Sequence, residues 1–100
     1  MDNRPLPPIA TLRAFCAIAE LGGFGRAAER LGTTQTAVSH QIAQLEGWIG
    51  GVLFERGRGG ARLTAKGARL YPAVAEALRN LEEALRVARA DAGRSRVELS

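Results

Sequence analysis

A chain of 100 residues has room for one compact domain and little more, because single domains commonly run to about 100 to 150 residues. Fourteen Lys and Arg against ten Asp and Glu leave a formal charge of +4, which would attract phosphate without identifying a nucleic-acid partner. The single cysteine excludes an internal disulfide or a multi-cysteine metal site, no run is apolar enough to span a membrane, and Met1 to Pro8 has no apolar core like a signal peptide's, so a cytoplasmic protein is expected.

Met1 to Pro8 carries three prolines and reads as an extended lead-in, since proline lacks an amide donor and restricts the residue before it. From Ile9 to Leu21 the spacing is helical, with Leu12, Phe15, Cys16 and Ala19 on one face. Ala14, Ala17, Ile18 and Leu21 form a second apolar strip, which is either one wide core face or a contact with a second helix or another subunit. Cys16 in this setting is expected to be a small buried apolar residue. Gly22 and Gly23 stop the helix. A short helix follows from about Phe24 to Leu31, with Phe24, Ala27, Ala28 and Leu31 inward and Arg26, Glu29 and Arg30 outward. Gly32 ends it, and Thr34 is placed to cap a third helix running from Gln35 to about Ile49.

Gly50 and Gly51 break the chain, and the period then changes. Val52, Leu53 and Phe54 suit a strand, Ala61, Arg62 and Leu63 suit another, and the residues from Gly57 to Gly60 suit the turn between them. Thr64 caps a last helix expected to reach about Ala90. In it Val74, Leu78, Leu81, Leu85 and Ala88 repeat at four, three, four and three, the seam of a helix that packs along another. Pro72 removes one amide donor and predicts a bend in the early turns. Gly93 is expected to end the helix, with Arg96 to Ser100 leading toward a strand.

The fold class is therefore mainly α, a winged helix-turn-helix of three helices and a short β-hairpin wing, followed by a long linker helix. In such a motif the second of two closely joined helices lies in the major groove. At about 100° per residue, Val38, Ile42, Leu45 and Ile49 face the core, while Thr36, His40, Ala43 and Gly47 lie opposite with Ser39 beside them. That outer face is short, polar and free of acid, so it can approach base edges without repelling phosphate. Gln35 stands in the first turn, where its carboxamide can both donate and accept at an adenine edge. Gln41 lies toward the core side, as a structural hydrogen bonder. His40 can meet a base or a phosphate, and without a second His or a Cys cluster no metal role is assigned. Arg56 and Arg58 give the wing a basic turn that can reach a flanking phosphate or the minor groove. Arg26, at the start of the second helix, is a candidate phosphate anchor together with the amides of that terminus. Thirteen of the fourteen cations are Arg, whose planar head grips phosphate in bidentate fashion, although a high-GC coding bias produces the same surplus.

The residues Phe24-Gly25-Arg26-Ala27-Ala28-Glu29-Arg30-Leu31, Thr34-Gln35-Thr36-Ala37-Val38-Ser39-His40-Gln41-Ile42, Leu45-Glu46, Leu53-Phe54-Glu55-Arg56 and Leu63-Thr64 together closely resemble the amino-terminal domain of LysR-type transcriptional regulators. Leu6-Pro7-Pro8 and Leu12-Arg13-Ala14-Phe15 look like the subgroup typified by glycine-cleavage and β-lactamase regulators. The resemblance implies a bacterial regulator whose linker helix pairs two subunits, with a tetramer open to the full-length protein, and whose small-molecule effector binds a separate domain absent from this chain. By the same resemblance Thr34, Gln35, Thr36, Ser39 and His40 fall where the family reads a DNA operator, expected to be two-fold symmetric, with the wing near Arg56 and Arg58 on the flank. Three positions depart from the family pattern. Gly23 and Gly25 replace hydroxyl residues around Phe24, Thr36 stands where many members have Pro or Ala, and Gly59 occupies the usual place of the wing arginine.

The expected organisation is a DNA-binding domain over 1–64, a dimerisation helix over 65–92 with its seam at Val74, Leu78, Leu81 and Leu85, and a connection over 93–100. One Cys, one His and no acidic cluster leave too few convergent groups for an enzyme, and no cofactor is implied. A dimerisation module alone would leave the uncharged third helix and the glycine-rich basic hairpin without a purpose. A helix shaped for the major groove also does not suit the deep, narrow groove of A-form RNA.

Overall fold

The computed structural model describes residues 5–99, with side-chain surroundings given for residues 5–92. Residues 1–4 of the proline-rich lead-in and residue 100 lie outside the described residues; Pro5 to Pro8 has neither helix nor strand. The element order is α1 (Ile9–Leu21), α2 (Phe24–Leu31), α3 (Gln35–Ile49), β1 (Phe54–Gly57), β2 (Gly60–Leu63) and α4 (Ala65–Leu99). The three first helices match their expected limits.

Glycine punctuates these helices for a conformational reason. Gly22, Gly32 and Gly50 are the C-caps of α1, α2 and α3, each with φ between 68° and 81°, the left-handed region that a side chain disfavours. The start of α3 is fixed by Thr34, whose Oγ1 accepts a hydrogen bond from the Ala37 amide at 3.1 Å. This satisfies one of the amides that a helix leaves unpaired in its first turn.

Helix α1 is the axis of the core. Ala14, Phe15, Cys16, Ala17 and Ile18 are all buried in succession, so residues of both apolar strips are covered, and α2, α3, α4 and β2 all pack against the helix. The choice left open by the sequence thus resolves within the chain, where α4 supplies the second partner. Phe15 joins Phe54 at 5.5 Å and Tyr71 at 6.2 Å between ring centroids, and Phe24 meets Phe54 at 5.9 Å in an edge-on arrangement. Tilted and edge-on pairs of this kind add to the stabilisation from buried area.

The wing departs from the expected limits. Its first strand is Phe54–Gly57, two residues later than Val52–Phe54, and the antiparallel register pairs Phe54 with Leu63, Glu55 with Arg62, Arg56 with Ala61 and Gly57 with Gly60. Arg58 and Gly59 form a two-residue turn, and Arg56 belongs to the strand. The displaced Leu53 is fully buried ahead of the strand; its amide donates to Glu46 Oε2 at 2.8 Å and its carbonyl accepts from the Thr64 amide at 2.9 Å. Those bonds run to a side chain and to the loop after the hairpin, so an apolar run that looks like strand is held as a buried connection.

Two glycines let the wing and the last helix close on the core. The Ala61 amide donates to Gly22 O at 3.0 Å, and a Cβ on Gly60, whose φ is +116°, would collide with that same carbonyl. A Cβ on Gly67 would meet the backbone carbonyl of Leu53. Thr64 links these parts: its Oγ1 accepts from the Gly67 amide at 3.1 Å and donates to Val52 O at 2.8 Å. Helix α4 then continues past Gly93 to Leu99, which corrects both the expected stop and the strand expected from Arg96. One glycine costs a helix about 1 kcal/mol, too little to end a helix whose other residues favour it. Pro72 lies within α4.

Candidate nucleic-acid interface

Helices α2 and α3 are joined by the short turn Gly32-Thr33-Thr34, and the apolar residues of α3 fix which side faces out. Val38, Ile42 and Leu45 are buried and Ile49 is partly buried against them, as the helical period requires. Thr34, Gln35, Thr36, His40, Ala43 and Gly47 are exposed, and Ser39 is half-buried. Neither α2 nor α3 carries an acidic residue in its first turn. Glu46, the acid within α3, is taken up by the Leu53 amide. The outer face of α3 therefore offers donors, acceptors and small side chains to an anionic partner.

The individual side chains have distinct settings. Thr34 Oγ1 is engaged as the helix cap, which leaves its proton and one acceptor site for another partner. Gln35 leans toward the start of α2, for its Oε1 lies 3.4 Å from the position a Cβ would take on Gly25. The hydroxyl residue expected there by resemblance is absent, and the Gln35 carboxamide stands beside the gap. Gln41 is half-buried and shares a shallow outer patch with Ala37, His40, Ala43 and Gln44. Arg26 is exposed near the uncapped start of α2, its Nη1 reaching Leu21 O at a long 3.4 Å. The start of α2 has no side-chain cap.

The two wing arginines differ. Arg58 is exposed at the hairpin tip. Arg56 is exposed as well but leans back onto the domain: its guanidinium carbon lies 3.8 Å from the centroid of the Phe24 ring, and Nη2 donates to Ser39 Oγ at 3.3 Å. Phe24 thus has a role beside the interface that sequence periodicity had given only to the core. The signal was available in the alternation of β1, because Phe54 and Arg56, two apart, share one face of the sheet.

The other side of α1 carries a groove of about 290 Å³ lined by Cys16, Ala17, Leu31, Ala75 and Leu78 and rimmed by charged residues. Arg13 pairs with Glu82 at 3.1 Å and Arg30 with Glu20 at 2.7 Å, while Tyr71 Oη donates to Glu20 Oε2 at 2.9 Å. Burial, reinforced by the charge of Glu20, pushes the Cys16 thiol up to about 11. A thiol so protonated is a poor nucleophile and metal ligand. Of the seam expected to pair two subunits, Val74 and Leu78 are partly buried against the chain's own core, whereas Leu81 and Leu85 are 41% and 57% exposed. The seam is therefore divided, its first half occupied within the monomer. No group of three metal-ligating side chains occurs among the described residues, and none of their helices is long and apolar enough to cross a membrane.

A family model described as bacterial regulatory helix-turn-helix protein, lysR family, matches residues 9–68. The chain is 39% identical over 98 residues to the glycine cleavage system transcriptional activator of Escherichia coli strain K12, covering 98% of this chain and 32% of that protein. It thus spans about a third of the length of that relative. Among solved structures it is similar to a CbnR DBD–DNA complex, with a TM-score of 0.76 and 33% identity over 85% of this chain and 98% of the other. It is also similar to a BenM DBD complex with benA site 1 DNA, with a TM-score of 0.78 and 30% identity over 85% of this chain and 96% of the other.

Proposed function

From a chain that belongs to the lysR family of bacterial regulatory helix-turn-helix proteins, we propose a module that binds double-stranded DNA sequence-specifically and serves a cytoplasmic transcription regulator. The observation that carries this reading is the outer face of α3, polar and free of acid, held beside a wing that ends in an exposed arginine. Two similar structures are DBD complexes with DNA, which supports the same use of this surface. Residues 1–64 form the DNA-binding domain, 65–92 the linker over which two copies pair, and 93–100 the approach to an effector-binding domain.

Within this reading Gln35, Thr36, Ser39 and His40 face base edges in the major groove, with Thr34 at the entry of the helix. Arg26 and Arg58 meet phosphates and set affinity rather than sequence preference. A dimer would present two α3 helices to a two-fold symmetric operator. The test is a titration of wild type and Gln35→Ala, at fixed salt, on the duplex selected by the wild type from a random pool and on its scrambled counterpart. Loss of one good base contact costs on the order of 1 to 3 kcal/mol at the preferred site, up to double for a dimer, with little change on scrambled DNA. Equal weakening on both would remove Gln35 from the reading set.

A further inference from the structure

The strand alternation that buries Phe54 also carries Arg56 to the inner face of the hairpin, where its guanidinium meets two groups from different elements. One is the buried Phe24 ring of α2, 3.8 Å away, and the other is Ser39 Oγ of α3, 3.3 Å away. A planar cation stacked on an aromatic face and bonded at one nitrogen has its orientation set from two directions. The contact also decides what Ser39 can do. A serine hydroxyl has one donor and two acceptor sites; Arg56 takes one acceptor site, and its cation turns the hydroxyl proton away from itself.

We propose that Arg56 is a positioning residue: it clamps the wing to α2 and α3 and holds Ser39 as a hydrogen-bond donor toward an acceptor on a base edge. In the major groove such acceptors are purine N7, guanine O6 and thymine O4, so Ser39 favours a base pair that presents one of them at that point. The tip residue Arg58 is left as the wing's phosphate contact. This inference rests on the assignment of α3 as the DNA-reading helix and adds how one of its readers is oriented.

The test compares wild type, Arg56→Lys, Ser39→Ala and the double variant of the 100-residue chain. Each is titrated on the selected duplex and on its scrambled counterpart over a range of salt. Lysine keeps the charge but loses the planar stack and the fork, so Arg56→Lys is expected to keep the salt dependence of wild type while its preference for the selected duplex falls about tenfold. Ser39→Ala is expected to lose a similar factor, and the double variant no more than either single one. General loosening of the wing would instead weaken both duplexes alike. Full preference retained by Arg56→Lys, equal weakening on both duplexes, or multiplied losses in the double variant would each overturn the proposal. A wild type that does not distinguish the duplexes would overturn the DNA-reading assignment itself, and the inference with it.

Discussion

Gly47 and Cys16 show how a single position can be read for stability apart from function. Gly47 lies in the interior of α3, exposed, and a Cβ there would meet nothing within 4 Å. Gly47→Ala is therefore expected to stabilise the fold by about 1 kcal/mol, seen as a raised midpoint in chemical denaturation. If the small side at Gly47 serves close approach to DNA, the same variant binds duplex more weakly despite its greater stability; unchanged binding would assign Gly47 no part in the interface. Cys16 gives a pH dependence with a definite sign. Its thiol ordinarily loses a proton near 9.0 and in the fold near 11, so between these values the folded chain binds more protons than the unfolded one. The stabilisation is fully present below pH 9 and is lost as the pH rises through 11. Denaturation measured from pH 8 to 11 should show wild type losing stability relative to Cys16→Ala across that window. Alkylation of the native thiol should also be slow at pH 9, where only about 1% is thiolate. Parallel stability curves with rapid alkylation would contradict the assigned burial.

At the scale of elements, the hairpin depends on a backbone contact as much as on its own pairing. The Ala61 amide reaches Gly22 O, and Gly60 occupies a left-handed φ of +116° against the same carbonyl. Gly60→Ala combines conformational strain with collision against backbone, and is expected to cost well over the ~0.5 kcal/mol within which ordinary exposed substitutions fall. It should also shift the wing, so that the salt dependence of DNA binding flattens as a phosphate contact is lost. A variant with wild-type stability and salt dependence would remove that docking from the account. Thr34→Ala is a milder comparison, losing a cap bond of 3.1 Å and about 1 kcal/mol of stability.

At the scale of the whole molecule, the division of the α4 seam alters how pairing of subunits should be tested. Val74 and Leu78 pack on their own core, so a charge at Leu78 would damage the monomer and confuse the result. Leu81 and Leu85 are exposed, and replacing both by Glu should give folded monomers by sedimentation while helix content is retained. A wild type that stays monomeric at high micromolar concentration would rule out pairing through this face. The sequence by itself determined the three helices and their limits, because a 3.6-residue period, a threonine cap and left-handed glycines are local signals that act within a turn or two of the chain. It also determined which side of α3 is exposed, since Val38, Ile42 and Leu45 leave no other side to bury. Only the tertiary structure decided the rest. Leu53 lies outside the strand because its amide bonds to Glu46 on another element, and α1 is buried on both sides because α4 returns across it. Arg56 leans back onto the domain because Phe24 and Ser39, 32 and 17 residues earlier in the chain, meet beside the wing. Such contacts join groups distant in sequence, and their geometry exists only once the core has closed.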